Sequence, residues 1–260
     1  AMHNNVDQDG RFRGFLDSMT LPLAHKLIAV SPGVAQSIRQ RDTWLPAHKI
    51  VIIQNGIDID QLHKNSHQAN KSRNDLGLDE NHFIIGSVGR FESVKRYDLM
   101  LDSFAMIYAR NVQARLVLVG VGSCQAMLRK QTQTLGIEDV VIFVVGQPAY
   151  GYYPLFDCFI MSSDKEGISI ALLEAMSFSL PCVVTNSESH HPVLHNGING
   201  IIVQAGNALA LAQACEEIEK NALYAKALGA AGYQSASQEF SSKAMVCNYE
   251  REIEECLGVN

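Results

Sequence analysis

No stretch of this chain is apolar for anything near the ~20 residues that a membrane-spanning helix needs, so a soluble globular protein is expected rather than a spanning one. Basic residues are also few: 21 Lys and Arg stand against 27 Asp and Glu, a net charge of −6, and no Lys/Arg block is present. Binding nucleic acid takes a concentrated basic surface, so nucleic acid is not an expected partner. The six cysteines (Cys124, Cys158, Cys182, Cys215, Cys247 and Cys256) form no C-x-x-C pair, and two lie in apolar strand-like runs. That usage argues against a disulfide framework or a zinc site and for reduced thiols in a cytoplasmic protein. No apolar core follows a basic start, so no signal peptide is expected.

What is present is 260 residues, 47% hydrophobic and 18% charged, enough for one large domain or two small ones. Residues 1–20 are polar, with a short helix expected over 12–19. Residues 26–31 read as a strand, and Ser31-Pro32 opens a helix to about Arg41, with Ser as N-cap and Pro at the first helical position. Residues 50–54 form a second strand, closed by Asn55-Gly56. The polar stretch 64–75 reads as a domain boundary. After it, strands are expected at 83–88, 115–119, 140–144, 159–162, 181–185 and 200–203. Helices are expected at 96–108, 124–135, 150–156, 168–178, 208–220, 223–231 and 241–257. Near-continuous apolar strands separated by helices predict a doubly wound α/β domain with a parallel sheet covered on both faces.

Such sheets bind ligands beyond the carboxyl ends of their strands, and three segments there stand out. The first is Gly89-Arg90-Phe91-Glu92-Ser93-Val94-Lys95-Arg96, which brings cations to a strand end. Cations are unfavourable at the positive end of a helix, so Arg90 and Lys95 gain more from an anionic ligand than from that position; Arg96 reads as a surface residue. The second is the small-residue turn with Gly120 and Gly122. The third glycine of a dinucleotide fingerprint is missing, because Gln125 stands where it would fall.

The third segment is Glu166–Met176, EGISIALLEAM, around which the rest is arranged. From Ile168 to Phe178 the pattern is apolar almost all round, a helix buried on most faces. Glu174 stands alone in it, and a carboxylate there costs on the order of 1–3 kcal/mol unless something polar meets it. That something is either a ligand or an internal backbone group. Glu166 precedes the helix start, where Gly167 and Ser169 leave the first N–H groups open to an anion; the alternative is an acidic residue merely complementing the helix dipole.

In combination, GRFESVK (89–95), VGVGS (119–123), DCFIMSS (157–163), EGISIALLEAM (166–176), LPCVVT (180–185) and NGINGIIV (196–203) resemble the retaining nucleotide-sugar glycosyltransferases of GT-B architecture, family 4, over about residues 25–257. The family carries two glutamates separated by seven residues, the spacing of Glu166 and Glu174. The resemblance implies a Rossmann-like donor-binding domain at 57–240, a remnant of an acceptor-binding α/β domain at 1–56, and a C-terminal helix at 241–260 returning toward it. It implies that Arg90 and Lys95 hold the donor diphosphate, with Gly89, Gly120 and Gly122 in the donor site. Backbone N–H groups of Gly167, Ile168, Ser169 and Ile170 would complete the phosphate cradle. Glu166 would face the donor sugar, Glu174 the ribose hydroxyls, and Val145 the base edge through its backbone. The donor would be a nucleoside diphosphate sugar, UDP- or GDP-linked, with no cofactor and no metal. The acceptor would be a glycan or lipid-linked saccharide, with the protein cytoplasmic or at the inner face of the membrane, attached peripherally through the part that is lacking.

Three departures from the family pattern stand out. Most of the acceptor-binding domain is lacking, so a shortened donor-binding half is expected. The loop after Thr185 carries Glu188, His190 and His191 where small residues are usual, which bears on the donor sugar. Residues 146–157 are also shorter than usual, by about one helical turn on the family's pattern. His190, His191 and His195 invite a metal reading, but Pro192 interrupts any helix that would align them, and no carboxylate or Cys lies at ligand spacing. The other function classes are a nucleotide-binding module inactive without its partner domain, and a sugar-nucleotide epimerase or dehydrogenase. The incomplete glycine fingerprint weighs against the dehydrogenase.

Overall fold

The computed structural model describes residues 24–164, 168–186 and 193–258. The expected helix at 12–19 lies outside them. Two compact units divide the chain, one running to Ile57 and resuming at Glu239, the other Asp58–Gln238.

In the first unit, strands β1 (Leu27–Ala29) and β2 (Ile50–Ile52) pair in parallel. Helix α1 (Pro32–Arg41) connects them. Its start is set as the sequence suggests: the Ser31 side chain accepts from Val34 N, and Pro32 takes a position whose missing N–H costs nothing. Leu27, Ala29, Ala35, Ile38, Leu45 and Ile50 make the small core. The chain returns through helix α8 (Ser242–Leu257), tied at its start by Ile57 N donating to Phe240 O and Ser242 N to Ile57 O. Gly56 allows this approach, since a Cβ there would lie 2.4 Å from Ser241 O.

The second unit opens on helix α2 (Ile59–Ala69), where a polar boundary is expected from the sequence. The sequence reading misses it because few of its residues are apolar. Leu62 and Ser66 are the buried positions, and the Asp58 side chain caps the start by accepting from Gln61 N. The sheet follows: β3 (Phe83–Val88), β4 (Ala114–Val119), β5 (Val141–Val144), β6 (Cys158–Met161), β7 (Cys182–Asn186) and β8 (Ile201–Gln204). All six strands pair in parallel in the order β5-β4-β3-β6-β7-β8. The expected doubly wound α/β sheet is therefore present, with its order reversing between β3 and β6.

Helices α3 (Tyr97–Tyr108), α4 (Gln125–Leu135) and α6 (Ala208–Lys220) enclose the main core with residues such as Phe91, Phe104, Leu116 and Cys215. Helix α5 (Ile170–Ser177) packs against α2 and α7 (Ala222–Gln238). Helix α7 runs seven residues beyond the expected end at Ala231, through Gly229 and Gly232. Gly229 is there for contact, because a Cβ would lie 2.0 Å from Ser179 O. The expected helix at 150–156 is instead two 3-10 turns, 149–151 and 153–155, the second holding Pro154.

Between β3 and β6 the ladder is confined to Ile85 with Cys158 and Gly86 with Phe159. Asp157 reinforces this seam: its carboxylate accepts from Ile84 N and from Arg73, each at 2.8 Å.

Candidate functional site

Beyond those two pairs lies a shallow cleft at the carboxyl ends of β3 and β6. It is lined by Ser87 and Val88 on one side, Met161, Ser162 and Ser163 on the other, and Lys95, Tyr97 and Met100 above. Open α/β sheets bind ligands at such a switch point.

The segment after β3 is held by backbone bonds. Gly89 N donates to Val119 O at 3.0 Å, Phe91 N to Val121 O at 2.8 Å, and Cys124 N to Phe91 O at 2.8 Å. Fully buried Phe91 anchors it, which leaves Arg90 exposed between two pinned amides. Among the described residues the Arg90 guanidinium makes no hydrogen bond. The chain then turns through a 3-10 segment, Ser93–Lys95, closed by Lys95 N to Glu92 O. The Ser162 hydroxyl is shared between the carbonyl oxygens of Lys95 (2.9 Å) and Arg96 (2.7 Å), and Asp164 N donates to Val94 O. Thr185 Oγ1 donates in turn to Ser163 O at 2.9 Å. Half-buried Lys95 is thus fixed at the cleft by its own backbone. Arg96, expected at the surface, is half-exposed and paired with Asp98 at 3.1 Å and Asp164 at 2.9 Å. Asp98 above all, with Asp164, pushes its pKa up.

Gly120 and Gly122 have a packing reason that the sequence did not reveal. A Cβ on Gly120 would lie 1.9 Å from Gly89 O, and one on Gly122 would lie 2.4 Å from Phe91 O. The turn entering α4 is also met by a protein carboxylate. Glu92 accepts from Ser123 Oγ at 2.8 Å and Ser123 N at 3.4 Å, and these bonds, the hydroxyl's first, hold its pKa below the ordinary carboxylate value. Val145 follows β5 and is exposed.

Of the central stretch, Glu166 and Gly167 lie outside the described residues, as do Glu188, His190 and His191. Ile168 and Ser169 lead into α5, with Ser169 accepting from Leu172 N as N-cap and Ile170 exposed at the first turn. Glu174 has a polar partner: the hydroxyl of Tyr153, fully buried, donates to Glu174 Oε2 at 2.6 Å. Sequence reasoning missed Tyr153. The usable signals were a tyrosine among apolar residues, whose hydroxyl needs a partner, and a lone glutamate needing one as well. Burial pushes the Glu174 pKa above 4.5, partly offset by the Tyr153 bond.

That shift predicts a pH effect. The folded state holds the Glu174 proton more tightly than the unfolded chain, so this contribution to stability is complete below the ordinary carboxylate pKa. It is lost as pH rises through the folded value. Glu174→Gln removes the titration, so its melting temperature, followed from pH 4 to 8 (about the range over which a raised carboxylate titrates), is expected to gain on the wild type as pH rises. A constant difference would contradict the assignment.

Among the described residues no group of three His, Cys, Asp or Glu is placed to hold a metal ion, and His195 is exposed. No helix among them is long and apolar enough to cross a membrane.

Residues 68–235, well over half the chain, match the family described as glycosyl transferases group 1. The chain belongs to that family. Among curated relatives of this glycosyltransferase family, the N-acetyl-alpha-D-glucosaminyl L-malate synthase of Bacillus anthracis is 27% identical over 179 residues, covering 68% of this chain and 47% of that protein. The capsular polysaccharide biosynthesis glycosyltransferase CapM of Staphylococcus aureus is 23% identical over 235 residues, covering 88% and 61%. The chain therefore spans about half the length of the curated relatives it matches. Among solved structures, Anabaena HepE in complex with UDP and glucose superposes with a TM-score of 0.82 at 20% identity, covering 96% of this chain and 69% of that one. The C-terminal domain of LpcC, a group 1 glycosyl transferase from Francisella tularensis, gives 0.61 at 18%, covering 72% and 100%. The parallel doubly wound sheet is that of the GT-B glycosyltransferases.

Proposed function

We propose that this chain is the donor-binding part of a retaining glycosyltransferase that takes its sugar from a UDP-sugar. The observation that supports the reading is the backbone-pinned segment after β3, which carries Arg90 and has Lys95 lining the cleft at the switch point of a sheet belonging to this family. Their charges meet the donor diphosphate there and stabilise the negative charge that grows on it as the bond to the sugar breaks, electrostatically and without a metal. The N–H groups of Gly167, Ile168, Ser169 and Ile170 complete the cradle. Glu166 faces the sugar, Glu174 the ribose, and the Val145 backbone the base. UDP is favoured over GDP because HepE was solved with UDP and with UDP-glucose. The acceptor is a glycan or lipid-linked saccharide in polysaccharide biosynthesis, the process named for CapM, handled on the cytoplasmic side with peripheral membrane attachment.

Calorimetric titration of this chain with UDP, GDP and ADP is the first test. Binding of UDP above the other two is expected; equal binding of all three would remove the base assignment, and no binding would remove the site. Transfer is tested in the full-length protein. There the product should keep the donor's anomeric configuration by NMR, and Glu166→Ala should abolish transfer.

A second reading is a nucleotide-binding chain with no transfer of its own. Transfer by this chain alone would exclude it.

A further inference from the structure

Glu174 is a half-buried carboxylate with one oxygen engaged and one not: Oε2 accepts from Tyr153, and Oε1 has no hydrogen bond among the described residues. The last torsion of a glutamate is broad, so an untethered carboxylate would present its oxygens in many directions. Tyr153 removes that freedom, because it is itself held. Its ring stacks on Phe178 (centroids 5.6 Å apart, 14° between planes) and meets Phe156 edge-on at 6.1 Å. Phe178 is backed by His63 at 4.5 Å, whose Nε2 lies 3.0 Å from Ser177 O. The Ser177 hydroxyl donates to the carbonyl of Glu174 at 2.7 Å. The carboxylate is therefore fixed at both its backbone and its tip. Phenylalanine would satisfy every ring contact of Tyr153, so what the hydroxyl adds is the bond to Glu174.

We propose that Tyr153 is a positioning residue for nucleotide recognition, holding Glu174 so that its remaining oxygen accepts from the ribose hydroxyls. This rests on the reading that Glu174 meets the ribose. Preorganising an acceptor in this way favours a ligand that supplies the matching donor, and a carboxylate left to rotate discriminates less.

The test is titration of the full chain, as wild type, Tyr153→Phe, Glu174→Gln and the double variant, with UDP, GDP, ADP and their 2′-deoxy counterparts. The wild type should prefer the ribonucleotide. Tyr153→Phe should melt cooperatively, keep its deoxynucleotide affinity and lose about 10-fold of that preference, which corresponds to about 1.4 kcal/mol. Glu174→Gln should lose the preference, and adding Tyr153→Phe to it should change nothing further, because two residues acting through one bond are not additive. If Glu174→Gln erases the preference while Tyr153→Phe keeps it, or if the two losses add, Tyr153 is only packing and the proposal fails with the ribose reading intact. If the wild type shows no preference, or Glu174→Gln leaves it unchanged, the ribose reading fails and this inference with it.

Discussion

Lys95→Ala is expected to weaken nucleoside diphosphate binding by about 10- to 100-fold, the range for removing one hydrogen bond to a charged group of about 1.5–3 kcal/mol. The side chain lines the cleft and is half-buried, so its charge acts with less solvent screening than a surface lysine has. Its backbone is held independently by Ser162 and by the Glu92 carbonyl, so shortening the side chain should leave the turn in place. Arg90→Ala should cost less and depend more on salt, because Arg90 is exposed. Calorimetry at two ionic strengths separates the two. Unaltered affinity in Lys95→Ala would remove that residue from the site.

Gly120→Ala should have the largest effect on the fold. The added methyl would sit 1.9 Å from the Gly89 carbonyl oxygen, and backbone on backbone has no flexible tip that can yield. Overpacking costs about 1–3 kcal/mol, and this contact belongs at the upper end. A loss of about 3 kcal/mol lowers the melting temperature by about 6–12 °C for a chain of this size. Because the displaced carbonyl belongs to the residue before Arg90, nucleotide affinity should fall with it. Gly33→Ala is the control: its Cβ would meet nothing nearer than Ser31 Oγ at 3.9 Å, and alanine is the better helix former. Thermal melting followed by titration checks both. If Gly120→Ala melted like Gly33→Ala, the close approach of the two segments would be wrong.

The alternation of apolar strands and helices from Phe83 onward was legible because each element carries its own period, and Ser31-Pro32 was legible because a cap is a local arrangement. Helix α2 was not, since only a few apolar positions mark it and its support comes from the 3-10 turn at 149–151 and from α5, both distant in sequence. The end of α7 was hidden by glycines whose reasons are tertiary, Gly229 lying against Ser179 and Gly232 against Asn199 and Met176. In the site, the sequence showed that Glu174 needed a partner but could not supply Tyr153, 21 residues back and reached only through the fold. Gly120 and Gly122 read as a small-residue turn, placed in the donor site by resemblance, and the structure adds a packing reason for each, the close approach of Gly89 and Phe91.

The bonds from Gly89, Phe91 and Cys124 that continue the β3–β4 pairing beyond the sheet are all between main-chain atoms. Such bonds constrain side chains only where one would intrude. Val121 and Ser93, both exposed, can therefore be exchanged without touching the main-chain bonds that hold Gly89 and Phe91. The loop pair is thus fixed through atoms that nearly every residue type carries. This also suggests where a protein engineer has latitude: the outward residues of this loop pair can be changed to alter solubility or attach a probe without moving Arg90.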